Sequence, residues 1–317
     1  MGGAIPRGDA RGLPCRRDIH RCRGRAALHA HSVRSACRET RSRLDSRSRA
    51  GGRVKYILAF DAATEHVAIG IAGLGPDGYG TLAAVDFSAP RAALGELLPA
   101  THRLMESEGI APADIAAVAV GRGPGSFTGV RIAVATAKGL AHGLGVPLAG
   151  LGTLDAVAWR FKDTTGLVGV VGDAMRGEVY PCLFRCANGE CERLDEYDVA
   201  KPAAAAAAWA ESLGEQVTLA GNGLVKYAEV FSAALGERMT IAPESMWTPT
   251  GASVVDAAFA GRYEPALVTA LRTPEQASPG LLLPVYTRLS DAEEDEAKRA
   301  GTVPSTGVAG PRSGGNS

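Results

Sequence analysis

The residues with the clearest chemical potential are two aspartates, each placed at the end of an apolar run. Asp61 follows the run that begins at Lys55, and Asp173 follows the run 167–172. At both places the pattern reads strand, Asp, turn, strand, which predicts an internal duplication at the scale of a domain. A carboxylate at such a turn can face a phosphate or a metal ion if the backbone beside it is free to approach the ligand.

A glycine-rich segment supplies the second candidate site. Residues 121–131 read Gly-Arg-Gly-Pro-Gly-Ser-Phe-Thr-Gly-Val-Arg and lie between a predicted strand and a predicted helix. Free backbone N–H groups at a helix start favour anions, so the segment predicts nucleotide or anion contact through Gly123, Gly125, Ser126 and Thr128. The alternative is that the glycines only permit a sharp turn and close packing, with Ser126 as the helix N-cap. The Gly-Lys-Ser/Thr ending of a Walker A loop is missing.

Other catalytic arrangements are not supported by the sequence. His66, His102 and His142 do not share the spacing of metal ligands. A Gly-x-Ser-x-Gly motif is absent, and the sequence supplies no nucleophile–base pair for a peptidase. The body cysteines, Cys182, Cys186 and Cys191, form no C-x-x-C pair, and we interpret them as plain small residues in a reducing cytosol.

The elements that must position these residues alternate between strands and helices. Strands are predicted at 55–61, 66–73, 81–88, 115–120, 167–173, 178–185 and 216–220, and helices at 91–108, 126–143, 153–161, 203–213, 224–235 and 251–261. This alternation predicts an α/β protein. A duplicated lobe that opens with strand, Asp, turn and strand is the architecture of actin-like ATPases and sugar kinases, the ASKHA fold.

The two aspartate turns differ from what nucleotide binding requires. In actin-like ATPases the turn after the first Asp uses glycine, so that bare backbone can approach the phosphate. Here the first turn reads Asp61-Ala-Ala-Thr64, and its two alanines place Cβ atoms where the phosphate would lie. We therefore interpret Asp61, Thr64 and Asp173 as remnants of phosphate turns in a degenerate nucleotide site. In this interpretation Asp61 holds its own turn through hydrogen bonds to the backbone.

The charge divides the chain into two parts of opposite sign. Residues 1–53 hold fourteen Arg and four acids, a net charge of +10, and the remainder of the 317 residues carries −10. The Arg-rich segment has almost no apolar periodicity, so we expect it to be disordered. It reads as a targeting peptide, as a basic arm for RNA, or as an artefact of start-site choice, and we favour a natural start near Val54.

We expect four regions along the chain. They are an Arg-rich extension at 1–53, a first lobe at 54–150, a second lobe at 151–290 and a flexible Gly/Ser/Pro-rich tail at 291–317. No run of about 18 apolar residues is free of charges and Pro, so a membrane span is not predicted. The body has no basic cluster and carries −10, so direct binding of RNA by the body is not indicated.

Four segments resemble the successive signatures of the TsaB (YeaZ) family, with its Gcp-like domain. They are 57–65 (Ile-Leu-Ala-Phe-Asp-Ala-Ala-Thr-Glu), 121–131, 172–180 (Gly-Asp-Ala-Met-Arg-Gly-Glu-Val-Tyr) and 284–288 (Pro-Val-Tyr-Thr-Arg). Their order and spacing agree with the family over about 54–290. The resemblance implies an actin-like two-lobe protein that is a paralogue of the catalytic subunit TsaD.

The resemblance also implies a function. TsaD transfers threonylcarbamoyl to adenosine 37, next to the anticodon, in ANN-reading tRNAs, and TsaB is its cytoplasmic, non-catalytic scaffold or activator. TsaB pairs with TsaD, the ATPase TsaE joins them, and TsaB alone forms a homodimer. The complex uses ATP and reaches tRNA, whereas this chain alone is expected to bind no cofactor. The competing hypothesis is an ATP-binding, kinase-like enzyme of the same fold.

The family's pairing surface is a helical bundle of the first lobe. Carried onto this chain, it points to the helices predicted at 91–108 and 126–143. The candidate contact residues are Leu94, Leu97, Leu98, Thr101, Phe127, Val130, Arg131, Val134 and Lys138. The catalytic paralogue carries a metal-binding H-x-x-x-H pair on the first of these helices. Residues 91–96 read Arg-Ala-Ala-Leu-Gly-Glu instead, which favours a subunit without catalytic metal.

Overall fold

The computed structural model describes residues 54–75, 78–89, 93–260, 267, 271 and 278–285. Within these residues the strands form two mixed sheets of five strands each. The first sheet contains β1 (Lys55–Asp61), β2 (His66–Gly75), β3 (Gly78–Ser88), β4 (Ile115–Gly121) and β5 (Leu148–Leu151). The second contains β6 (Gly166–Met175), β7 (Glu178–Ala187), β8 (Glu190–Arg193), β9 (Val217–Ala220) and β10 (Met239–Ile241).

The two sheets repeat one topology. The first has the order β3-β2-β1-β4-β5, and the second, read in the same sense, has the order β8-β7-β6-β9-β10. In each sheet the first strand pairs antiparallel with the second and parallel with the fourth. Asp61 and Asp173 therefore occupy equivalent positions near the ends of β1 and β6. The predicted duplication and the actin-like fold class are confirmed.

Six helices cover these sheets in the described part of the chain. They are α1 (Ala93–Glu108), α2 (Phe127–Leu144), α3 (Thr153–Ala158), α4 (Pro202–Ser212), α5 (Leu224–Leu235) and α6 (Gly251–Ala260). A short 3₁₀ turn, Trp159–Phe161, extends α3. The predicted elements at these positions are all present. None of the described helices is long and apolar enough to cross a bilayer.

The central strand β1 explains how the first sheet is covered on both sides. Leu58 and Phe60 point to one face, and Ile57 and Ala59 point to the other. All four are buried, so the strand reads as a continuous apolar run rather than an alternating one. The Phe60 face packs against α1 and α2, and the Ile57 face packs against α6.

Helix α6 belongs to the first sheet in space although it follows the second sheet in sequence. Val254 and Val255 are fully buried in the cluster on the Ile57 face. The approach is close, because a Cβ on Gly251 would lie 2.0 Å from the Ile69 carbonyl oxygen. The predicted boundary at residue 150 falls within β5 (Leu148–Leu151), and the range 151–290 also contains a helix that covers the first lobe.

Three short strands, β5, β8 and β10, were not predicted. They have three or four residues each, too few to show a period of two. Each lies at an edge of its sheet. The extension 1–53, the tail 291–317 and the end of the 284–288 motif lie outside the described residues.

We expect the fragment 54–150, expressed alone, to lack cooperative unfolding. Without α6, the Ile57 face of the first sheet would be exposed to water, and that face holds the buried apolar side chains of Ile57, Ala59, Ala68, Ala72, Ala117, Ala119 and Ala149. Circular dichroism during urea titration measures this, with the chain 54–317 as the control. A sigmoidal transition for the fragment would contradict the assignment of α6 to the first lobe.

Candidate functional site

Asp61 is completely buried, and its carboxylate is bonded within the protein. The backbone N–H of Ala63 donates to Oδ1 at 2.8 Å, and the Thr153 hydroxyl donates to Oδ2 at 2.6 Å. Burial raises the pKa of Asp61, and the two hydrogen bonds act in the opposite direction. A Cβ on Gly121 would lie 1.7 Å from Oδ2, so the carboxylate fills the space beside that glycine. Asp61 therefore ties β1, β4 and α3 together.

Thr153 is the residue that the sequence analysis missed. Besides its bond to Asp61, its backbone N–H donates to the Gly123 carbonyl at 2.9 Å. It is buried at the first position of α3, directly after the short strand β5. Because β5 was not recognised, nothing in the sequence placed Thr153 beside the aspartate, 92 residues earlier in the chain.

The glycine-rich segment packs directly onto the turn after Asp61. A Cβ on Gly125 would lie 2.3 Å from the Ala63 carbonyl oxygen, and one on Gly129 would lie 2.0 Å from that of Ala62. The Ser126 N–H donates to the Ala63 carbonyl at 2.6 Å. These distances show that the glycines make room for the chain's own backbone.

The start of α2 is capped by the protein itself. The Ser126 hydroxyl accepts a hydrogen bond from the Gly129 N–H at 3.3 Å, as an N-cap residue does. Of the four residues considered for anion contact, Gly123 is buried and Gly125 is half-buried, whereas Ser126 and Thr128 are exposed. The carbonyls of Ala62 and Ala63 lie against this loop, so a phosphate would meet oxygen atoms where it needs N–H donors.

Two further motif residues lie at this junction. The Val285 N–H donates to the Arg122 carbonyl at 2.8 Å, which places the start of the 284–288 motif on the glycine-rich turn. The Thr64 hydroxyl donates to the His66 carbonyl at 3.1 Å and stays within its own turn. Three of the four family signatures therefore meet around Asp61.

The second aspartate turn has a different environment. Asp173 is only partly buried, and its carboxylate forms an ion pair with Lys226 in α5 and accepts the Met175 N–H at 3.0 Å. The Asn222 side-chain oxygen accepts the Asp173 N–H at 2.9 Å. The hydrogen bond to Asp173 raises the pKa of the Lys226 ammonium group. Both aspartates of the duplicated turns are thus used in contacts within the protein.

A third acid, Asp155 of α3, lies in a largely buried cluster with Arg193 of β8 and Tyr197. The Arg193 guanidinium lies 3.4 Å from Asp155 Oδ2 and also stacks over the Tyr197 ring, 4.1 Å from its centroid. Burial raises the pKa of Asp155 to about 6, and Arg193 opposes this rise. Gly152 leaves the necessary space, since a Cβ there would lie 1.9 Å from Asp155 Oδ2.

The candidate partner residues divide into two groups. Leu97, Thr101, Val130 and Val134 are buried within the chain and pack in or beside the core of the first lobe, which corrects their placement on an outer surface. Leu98 and Phe127 are 47% and 45% exposed, Arg131 is exposed and Lys138 is half-buried. Nothing is described for the side chain of Leu94.

The outward face of α2 forms a stripe with a spacing of four residues. It consists of Phe127, Arg131, Ala135 and Gly139, all exposed. The Arg131 guanidinium lies over the Phe127 ring at 3.7 Å from its centroid. Four other small residues of α2, Gly129, Ala133, Ala137 and Ala141, are buried. Small residues therefore allow close packing on the inner side of α2. On the outer side, Ala135 and Gly139 leave few side-chain atoms above the helix backbone.

For two of the three body cysteines the interpretation from the sequence was wrong. Cys186 and Cys191 form a disulfide, so they are not plain small residues. Cys182 is a buried free thiol, as a small core residue would be. In the described part of the chain, no three His, Cys, Asp or Glu side chains are grouped as ligands for a metal ion.

Two glycines of α2 provide a matched test of the close contact at Asp61. We expect Gly129→Ala to lower the free energy of unfolding by about 1–3 kcal/mol, because its Cβ would collide with the Ala62 carbonyl. In Gly139→Ala no other atom lies within 4 Å of the new Cβ. This substitution should therefore raise the free energy of unfolding by up to about 1 kcal/mol, because Ala favours the helix over Gly. Urea denaturation measures both, and equal effects would contradict the proposed packing.

The raised pKa of Asp155 predicts a pH-dependent stability. Between pH 3.8 and about 6 the folded state holds a proton that the unfolded state has lost, so stability falls as pH rises through this window. Relative to Asp155→Asn, the native chain should lose about 2 kcal/mol of unfolding free energy from pH 4 to pH 7. Urea titrations of both proteins across this range test it. If the difference in unfolding free energy between the two proteins does not vary with pH, the pKa of Asp155 is not raised in the folded state.

Comparison with known proteins agrees with this architecture. Residues 88–294 match the family described as TsaD, tRNA N6-adenosine threonylcarbamoyltransferase. The chain is 31% identical to the tRNA threonylcarbamoyladenosine biosynthesis protein TsaB of Bacillus subtilis over 62% of this chain and 80% of that protein. It is 36% identical to TsaB of Escherichia coli over 53% of this chain and 71% of that protein.

A solved structure shares both the fold and the sequence pattern. YeaZ from Pseudomonas aeruginosa is 27% identical, with a TM-score of 0.59, over 73% of this chain and 99% of that one. The chain belongs to the TsaB (YeaZ) family, within the group of proteins related to TsaD.

Proposed function

We propose that this chain acts in the biosynthesis of threonylcarbamoyladenosine in tRNA as a non-catalytic partner of TsaD. In this role it supports the transfer of threonylcarbamoyl to adenosine 37 of ANN-reading tRNAs, and TsaE joins the pair. The chain reaches tRNA only through the complex and forms a homodimer when alone. The biosynthetic role rests on the names of its relatives. The non-catalytic role rests on the Asp61 junction.

The junction supports this role because its polar groups are already occupied. Both oxygens of Asp61 accept hydrogen bonds from Ala63 and Thr153, and the acid is fully buried. The loop that would cradle a phosphate lies against the carbonyls of Ala62 and Ala63. A nucleotide or its metal would have to displace the protein's own backbone, so these residues do not fit ATP. The same observation disfavours the kinase-like alternative.

The outer face of α1 and α2 supports pairing with another protein. Leu98 and Phe127 expose nearly half of their apolar surface, and the stripe that begins at Phe127 continues with small residues. Aromatic residues and arginine are common in binding hot spots, the few residues that contribute most of the binding energy of an interface. Ala135 and Gly139 would let a helix of the partner approach α2 closely. We name Leu98, Phe127, Arg131, Ala135 and Gly139 the α1–α2 surface.

The pairing is tested by titrating TsaD from the same source with variants of the α1–α2 surface. We expect Phe127→Asp and Leu98→Asp each to raise the Kd by about 30-fold or more, because a charge replaces a desolvated apolar contact. Leu194→Asp is the control, since Leu194 is equally exposed, at 46%, but lies after β8 at the second sheet. Unchanged affinity in both variants would place the partner elsewhere.

The non-catalytic role needs a second measurement. Residues 54–317 should show no multiple-turnover transfer of threonylcarbamoyl without TsaD and no ATP binding by calorimetry at millimolar nucleotide. Turnover by the chain alone would contradict the scaffold role. ATP binding without turnover would instead favour the kinase-like alternative.

A further inference from the structure

We propose that Cys186 and Cys191 form an exchangeable thiol–disulfide couple, a redox modification site on the β7–β8 hairpin. The two residues are bonded to each other and lie directly opposite in the antiparallel register of these strands. β8 is an edge strand of only four residues. This site lies apart from the α1–α2 surface and does not depend on the proposed function.

The hairpin holds the two cysteines together whether or not they are bonded. Its turn is Asn188-Gly189, with φ values of 56° and 83°, the conformation of a tight two-residue turn. The strands on either side pair in register at four positions, and the cysteine Cα atoms are 4.1 Å apart. After reduction the two thiols would remain neighbours, so the disulfide can form again within the molecule.

The surroundings accommodate the reduced state as well. The Ala158 carbonyl oxygen lies 3.2 Å from Cys191 Sγ and 3.7 Å from Cys186 Sγ. A thiol on Cys191 can donate a hydrogen bond to this carbonyl, at the end of α3, whereas the disulfide has no hydrogen to donate. The reduced state therefore has a hydrogen-bond acceptor already in place for the Cys191 thiol.

Access to the bond is one-sided. Cys186 is fully buried, whereas Cys191 is half-buried. A thiolate from solution attacks Cys191 Sγ, and the S–S bond breaks with its electron pair moving to Cys186 Sγ, which takes up a proton. A second thiolate then attacks the mixed disulfide and releases Cys191 as a thiol. Two external thiols, such as glutathione, become one disulfide as the protein gains two electrons and two protons.

The β7–β8 hairpin contacts α3 and the residues after it, the connection between the two sheets. The Gly189 N–H donates to the Lys162 carbonyl at 3.1 Å, and Arg193 in β8 pairs with Asp155 of α3. Thr153 at the other end of α3 holds Asp61. We expect reduction to loosen β8 and its contacts with this connection, while the central strands stay unchanged.

The sequence allows the couple to be read directly by mass spectrometry. Trypsin cleaves after Arg176, Arg185 and Arg193, so residues 186–193 form one peptide that holds both cysteines. Cys182, the buried free thiol, lies in the preceding peptide, 177–185, and serves as an internal control. The full chain is equilibrated in glutathione buffers from fully reduced to fully oxidised, then denatured and alkylated.

The expected result is a single two-electron transition in the 186–193 peptide. It carries two alkyl groups in the reduced buffers and none in the oxidised buffers, while Cys182 is alkylated throughout. Native hydrogen exchange of the 186–193 amides should become several-fold faster on reduction, and that of β9 should not change. Cys182→Ser should keep the transition.

Single variants test the direction of attack. In oxidised glutathione, Cys186→Ser should acquire one glutathione on Cys191, whereas Cys191→Ser should leave the buried Cys186 unmodified. Two results would overturn the proposal. One is full alkylation of the peptide in every buffer, which would mean that the bond does not form. The other is a bond that survives excess dithiothreitol until the protein unfolds, which would mean a permanent structural disulfide.

Discussion

The buried carboxylate of Asp61 is the constraint on which the structure depends. A buried acid is costly unless its oxygens are satisfied, and here one oxygen accepts the Ala63 N–H and the other accepts the Thr153 hydroxyl. Because these donors come from the β1 turn and from α3, the acid can remain buried only when both are in place. The glycine-rich loop then closes over the same turn, so a single satisfied acid sets the geometry where three motifs meet.

The duplicated halves show how one turn can take two roles. In the second half, Asp173 is partly exposed to solvent and pairs with Lys226. In the first half the equivalent acid, Asp61, is completely buried. The difference follows from the loops that face them. Gly125 and Gly129 allow the backbone of the glycine-rich loop to close on Ala62 and Ala63 in the first half.

Periodicity and motif order predicted the alternating elements, the duplication and the family from the sequence. They could not predict β5 or the role of Thr153, because a strand of four residues carries no period and the bond to Asp61 spans most of a lobe. The burial of Leu97 and Val130 was missed for a related reason. An apolar residue on a helix gives the same sequence pattern whether it faces its own sheet or a partner. Among the apolar candidates whose side chains are described, only Leu98 and Phe127 are exposed. The Cys186–Cys191 pair depends on a hairpin register that was not assigned.

The return of α6 to the first sheet has a consequence for synthesis on the ribosome. About 100 residues, containing the whole second sheet, are translated between β5 and α6. At typical elongation rates this takes roughly 5–20 s. Throughout that interval the Ile57 face of the first sheet lacks the cover of α6, so the nascent chain offers an apolar surface to chaperones. The packing of the first lobe is therefore completed only after the second sheet has been translated.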